Sequence, residues 1–309
     1  MKNGLLLILS LSCLSAFAQE LVQEVGDVGH KPLSEISGIV KSTRYENTYW
    51  VHNDSGDSAR LFAIREDGAV LYPGFVRNKR IGMKDSPDLW QGLPVFVAAN
   101  QDWEDITIDG DAIYIADIGN NGNARRDLGV YVVREPNPKA ITNARPIQYL
   151  PIEYPDQKQY PARQWHFDSE SMFIDGGVPY FITKHRQPGK IRDWESGAKL
   201  YRLETRYTDK VNKLVQVGSN PHVAVATGAD LSPDGQWLAV LCYTDIWLFQ
   251  RPESGDDWLS SSGFKLPLTF KQTGQVEAIA WKNNEELLFT NEPGQLFTVE
   301  KQAIQQFPQ

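Results

Sequence analysis

The sequence is poor in cysteine and methionine, with 2 Cys and 3 Met in 309 residues. Cys13 falls in the N-terminal apolar stretch, so a mature chain keeps Cys242 alone and can form no internal disulfide. The fold must stand on its core. Past that stretch there is no apolar run long enough to cross a bilayer. Several chemistries lack their sequence signatures. There is no glycine-rich phosphate cradle, no Gly-x-Ser-x-Gly elbow and no His-Glu-x-x-His. Positive charge is scarce too, with 31 Lys and Arg against 39 Asp and Glu and a net charge of −8. An acidic chain is repelled by nucleic acid and by anionic membrane surfaces, which excludes both as partners.

What is abundant is aromatic: 9 Trp, 12 Tyr and 13 Phe. Large flat rings suit packing between sheets. Residues 1–18 stand apart. Lys2 supplies the charge, residues 5–14 the apolar core, and Ala16-Phe17-Ala18 the small-x-small cleavage signal. The expectation is an exported protein, periplasmic or extracellular, with residues 19–309 as one domain.

Those residues repeat one pattern five times. The opening strands are Ser37-Gly38-Ile39-Val40, Glu104-Asp105-Ile106-Thr107-Ile108, Glu170-Ser171-Met172-Phe173-Ile174, Ala229-Asp230-Leu231-Ser232 and Glu277-Ala278-Ile279-Ala280-Trp281. Each is followed by a turn, in three cases Asp-Gly chemistry at Asp109-Gly110, Asp175-Gly176 and Asp234-Gly235, then by two further aromatic-rich strands. Fourth strands are fainter, at 147–152, 213–217 and 266–270. The repeats start about 50–70 residues apart, blade-sized once loop insertions are allowed for. No helical period competes. The prediction is an all-β, five-bladed β-propeller, closed by residues 21–25 pairing in the fifth blade so that no edge stays open. A sixth blade within 70–100 is the alternative. That stretch, with Arg77, Lys79, Arg80 and Lys84, reads otherwise as an insertion on the first blade.

In a propeller the first strand of each blade lines the tunnel. Ser37, Glu104, Glu170 and Glu277 then start four tunnel strands, with Ala229 in the fourth repeat flanked by Thr227 and Asp230. Three carboxylates this close cannot all stay ionised unaided. Oxygen-only donors suit a hard cation such as Ca²⁺. The alternative is that each glutamate caps amides or meets water. Loops after the second strands open on the same face and carry Asp54, Asp117, Lys184, His185 and Arg186. Asp54, Asp117 and His185 are candidate catalytic groups, and Lys184, Arg186 and Arg125 candidate contacts for a small anionic substrate. His166, beside Trp165, is expected to be packed or at the surface. Trp90, Trp165, Trp194 and Trp258 lie in insertions and are candidate platforms for a glycan, peptide or envelope partner, in which case the propeller binds without catalysis.

These residues carry a resemblance. Ser37-Gly38, the three glutamates and Thr227-Gly228-Ala229-Asp230 resemble the tunnel of the calcium-activated nucleotidase (apyrase) family. Asp102-Trp103-Glu104-Asp105-Ile106, Asp117-Ile118-Gly119-Asn120-Asn121 and Ser232-Pro233-Asp234-Gly235 are similar to exported bacterial propellers described as phytase-like or esterase-like. The resemblance implies a calcium-dependent hydrolase of phosphate or other esters. It assigns calcium to Ser37, Glu104, Glu170 and Glu277 and an active-site acid role to Asp54. Lys184-His185-Arg186 resembles a basic segment of the nucleotidases. Ala229 departs from the pattern, where a backbone carbonyl would have to substitute.

Overall fold

The computed structural model describes residues 21–77 and 90–307. Residues 1–18, where a leader is expected, and Lys79, Arg80 and Lys84 lie outside the described residues. The rest is a five-bladed propeller, as the repeats predict. Blade one runs β2 (Ile36–Lys41), β3 (Tyr49–Asn53), β4 (Arg60–Ile64) and β5 (Val70–Leu71). Blade two runs β7 (Trp103–Asp109), β8 (Ala112–Asp117), β9 (Gly129–Arg134) and β10 (Pro146–Glu153). Blade three holds β11 (Trp165–Asp175), β12 (Val178–Gln187), β14 (Ala198–Arg202) and β16 (Val215–Asn220), with β13 (Lys190–Trp194) folded back on β12. Blade four runs β17 (Ala226–Leu231), β18 (Trp237–Cys242), β19 (Asp245–Gln250) and β20 (Phe264–Pro267). Blade five holds β21 (Val276–Trp281), β22 (Glu286–Asn291) and β23 (Gln295–Glu300), and β1 (Gln23–Asp27) pairs antiparallel with β23 to close the ring.

Two short strands remain. β15 (Asn212–Lys213) adds in parallel to β10. β6 (Leu93–Pro94) pairs with β4, in the stretch where a sixth blade was the alternative. It adds to blade one, and no sixth sheet exists among the described residues. The expected fourth strand at 266–270 is displaced. β20 ends at Pro267 and Phe270 starts a short helix, α1 (Phe270–Thr273). A second helix, α2 (Lys301–Gln306), packs Ile304 against the seam between blades four and five.

Period-two alternation explains the packing. Each blade sends one set of side chains to each neighbour, so the core is a series of seams. Trp50 and Trp103 fill the seam between blades one and two, and Phe181 and Tyr201 that between two and three. Phe249 and Trp258 fill the next, and Phe289 and Trp281 the one after. Cys242 is buried in the third of these as a small apolar group. Trp90 and Trp258 are 8% and 1% exposed, so neither is a binding platform.

The tunnel strands share one irregularity. In every blade the pairing between first and second strand slips at one equivalent residue, Ser37, Glu104, Glu170, Thr227 or Glu277, and blade three slips a second time between Trp165 and Asp168. Each slip is a β-bulge, which re-aims the extra side chain. The fourth-blade member is therefore Thr227, and Ala229 is two residues out of register.

Polar groups stitch the seams near the axis. Ser37 Oγ donates to the Glu104 carbonyl at 2.8 Å, and Thr227 Oγ1 to the Val276 carbonyl at 3.1 Å. Asp105 joins three blades, accepting from the amides of Ile106 (2.8 Å), Met172 (2.7 Å) and Ala229 (3.3 Å). Burial pushes its carboxyl well above the usual range, against the pull of these amides. Removing the acceptor strands three buried N–H groups, at about 1–3 kcal/mol each. Asp105→Ala is therefore expected to lower unfolding free energy in chemical denaturation by about 3 kcal/mol or more. A loss below about 1 kcal/mol would show that the blades are held without this latch.

Candidate functional site

Four of the bulges aim their side chains at one mouth of the tunnel. Ser37, Glu104, Glu170 and Glu277 line a cavity of about 110 Å³ there. The loops after the second strands add Asp54, Asn121, Tyr243 and Glu292; Lys184 and Arg186 come from β12 itself, which runs on through the expected loop, and Gln275 lines it too. The structure thus gathers all four residues expected around a metal, together with Asp54, Lys184 and Arg186.

The cavity has two unlike halves. On one side the acids are neutralised by protein groups. Lys184 is 1% exposed, and its Nζ donates to Glu170 Oε2 and to the Tyr243 hydroxyl at 3.2 Å. The ammonium also lies 4.5 Å from the centre of the Tyr243 ring. Tyr243 passes the contact on, donating to Glu277 Oε1 at 3.1 Å. Arg186 Nε donates to Asp168 Oδ2 at 2.8 Å and its Nη2 reaches Glu170 Oε1 at 3.3 Å. Gln275 Nε2 bridges Glu277 (2.7 Å) and Glu292.

On the other side stand Glu104, Asp54 and Asp102, each offering a carboxylate oxygen within 4.8 Å of the others. Glu104 is 4% exposed, and among the described residues no donor reaches its carboxylate. Gly119 makes room for it. A Cβ built there would lie 2.2 Å from Glu104 Oε1 and 2.3 Å from Asp102 Oδ2. The cradle, the donorless buried carboxylate and the all-oxygen donor set fit a hard divalent cation. The set differs from the one read in the sequence: Asp54 and Asp102 join Glu104. Glu104 also shares a second such group with Asp168 and Glu170, which keeps Glu170 of the expected set beside it, but there Lys184 and Arg186 already supply positive charge; Glu277 is engaged by Tyr243 and Gln275.

The remaining sequence candidates lie outside the cavity lining. His185 falls on the opposite face of β12 from Lys184 and Arg186. It stacks on His166 at 3.8 Å between ring centres and meets Thr183 Oγ1 at 3.0 Å. Burial first, then His166 and Lys199, pull its pKa down to about 3. Asp117 and Arg125 pair at 2.8 Å, and Asp117 accepts from the Asp102 amide at 3.1 Å. They fix the loop carrying Asp102.

Burial raises the mouth carboxyls: Asp54 to about 6 against the Ser55 amide, Glu170 to about 7, and Glu277 to about 8 with help from Glu170. For Glu170 burial outweighs the opposing pull of Lys184, the first of its neighbours. Glu104 is pushed well above its usual range by burial and then by Glu170, Asp54 and Asp102. Glu170 in turn holds Lys184 charged, above the usual lysine range, although burial opposes it.

No known family matches the chain, and no curated protein matches it. Among solved structures, a gluconolactonase from Xanthomonas campestris is 14% identical, with 90% of this chain and 89% of that chain covered and a TM-score of 0.45. A glucose dehydrogenase is 10% identical, with 90% and 98% covered and a TM-score of 0.47. A putative gluconolactonase is 12% identical, with 91% and 92% covered and a TM-score of 0.44. They lend no support to the nucleotidase or phytase resemblance, and likeness this distant says nothing of what this chain acts on.

The titrations set a pH dependence. Glu170 and Glu277 keep protons in the folded chain at pH values where the unfolded chain, near 4.5, has lost them. The folded state then binds more protons, and stability falls as pH rises. His52 and His185, lowered to about 4 and about 3, act oppositely, but only below the ordinary histidine value of 6.5. With chelator present, the melting temperature should fall between about pH 6.5 and 8. A melting temperature that is flat or rising across that window would contradict the burial-raised carboxyls of Glu170 and Glu277.

Proposed function

We propose that the protein is an exported propeller hydrolase acting on a small neutral ester at the tunnel mouth, with a hard divalent cation, calcium first, held by Glu104, Asp54 and Asp102. One observation carries the reading: a buried Glu104 carboxylate without a donor, cradled over Gly119 beside two further acids. Export rests on the leader expected at residues 1–18. No helix among the described residues is long and apolar enough to cross a membrane.

Neutrality of the substrate follows from charge. Asp54, Asp102, Glu104, Asp168, Glu170 and Glu292 face Lys184 and Arg186, and both cations are already paired. An anion would meet uncompensated negative charge even with one divalent ion bound.

A bound hard cation supplies Lewis-acid polarisation of an ester carbonyl and a more acidic water. The chain's own groups move the protons. Glu277, at about 8 and hydrogen-bonded by Tyr243 and Gln275, holds a proton at neutral pH and can give it to the departing alcohol oxygen. Glu170, at about 7, is available as the carboxylate that takes a proton from the attacking water. Lys184 keeps Glu170 oriented through its ion pair.

The test is an assay of purified protein on neutral carboxylic esters and lactones, with nucleotides and phytate as the anionic arm, in calcium and in chelator. Chelator-sensitive turnover of a neutral ester is expected, with none on the anions. Glu104→Gln and Gly119→Ala should each cost about 100-fold or more in kcat/KM. His185→Ala should stay within about threefold, because its ring lies off the mouth. Chelator-insensitive turnover, or none on any ester, would end the proposal.

A further inference from the structure

The mouth cavity is small. About 110 Å³ holds the reacting group and little more. The body of any ligand must rest on the rim, and blade three has built one side of it up. β11 begins at Trp165, five residues before its bulge, whereas β2, β7, β17 and β21 each begin one residue before theirs. β12 runs on to Gln187 beside it, and β13 folds back along β12. Roughly four residues per strand beyond the blade pattern raise a wall of about 13 Å.

The wall is braced. Arg186 Nη1 donates to the Ile191 carbonyl, and the Glu195 amide donates to the His185 carbonyl at 3.0 Å. Trp194 sits directly opposite Arg186 in the ladder, so it shares the face that carries Lys184 and Arg186 toward the cavity. Its ring meets Tyr243, which lines the cavity, edge-on at 5.7 Å and 89°. Yet Trp194 remains 43% exposed, and Ile191 52%. Trp90 and Trp258 are buried, and Trp165 packs against the core of the neighbouring seam. Trp194 is thus the member of that aromatic set left open beside the mouth.

We propose that Trp194, seated against Tyr243, is the platform on which a sugar ring of the ligand stacks while its reacting group enters the cavity. A sugar presents a C–H face to an indole and carries no charge into an acid-rich mouth. Arg192, two residues before Trp194 on β13 and so on the same face, offers donors for its hydroxyls. Trp194 is a specificity-determining residue here, with no part in proton transfer. The inference rests on the mouth as the ligand-receiving site and would survive failure of the hydrolase chemistry.

Saturation-transfer NMR and calorimetry with cellotetraose, maltotetraose, xylotetraose and mannotetraose at millimolar concentration test it. Wild type should bind at least one of them. Trp194→Ala should weaken that binding about tenfold, and Trp194→Phe should retain most of it. Melting temperature should be unchanged in both variants. Sugar binding should be the same in calcium and in chelator, which separates the platform from the cation and the hydrolysis. Wild type binding none of the four, or Trp194→Ala binding as tightly as wild type, overturns the proposal.

Discussion

Five β-bulges at one register impose the constraint on which the rest depends. Four of them bring a side chain to a single mouth, Ser37 and three glutamates, while the fourth-blade Thr227 bonds the neighbouring strand. Buried this close together, such carboxyls must be paired, protonated or bound to a cation. The chain combines these solutions unevenly. Lys184 and Arg186 take Glu170 and Asp168 into ion pairs, and Tyr243 and Gln275 extend the network to Glu277. Glu104, Asp54 and Asp102 are left without a partnering cation of that kind, over a glycine that makes space for them. That asymmetry turns a structural difficulty into a candidate site.

The same groups bear on stability. A lysine at 1% exposure is tolerable only while its partners remain, since removing one side of a buried ion pair leaves the other charge uncompensated. The mouth is therefore tied to the blades that build it. Asp105 lies one residue beyond Glu104 and joins three blades through backbone amides, while Ser37 and Thr227 stitch adjacent tunnel strands. Cavity and latch share a strand, so a change meant for one reaches the other.

Much of this was legible in the sequence because strand physics is local. Alternating apolar residues, with Asp-Gly turns in three blades, located the inner three strands, and the unpartnered segment at residues 21–25 located the closure. The convergence of Ser37, Glu104, Glu170 and Glu277 followed from treating the repeats as equivalent. The bulges were not legible. A slip of one residue is a property of the ladder, and it moved the fourth-blade position from Ala229 to Thr227. Strand alternation alone would have separated His185 from Lys184 and Arg186, which was a signal in plain view. Asp102 was harder, because its place beside Glu104 depends on a loop held by Asp117 and Arg125. The wall of blade three was hidden by its irregular pairing, with slips at Trp165/Asp168 and at Arg186/Gln187.

The central claim is that positive charge from the protein satisfies one half of the mouth and not the other. Crystals grown with Mn²⁺ in place of calcium and measured at the manganese absorption edge test it most directly. The account predicts one anomalous peak among the Glu104, Asp54 and Asp102 carboxylates, with the Lys184 ammonium still on Glu170. A mouth with no peak, or a peak between Glu170 and Glu277 with Lys184 displaced, would contradict it.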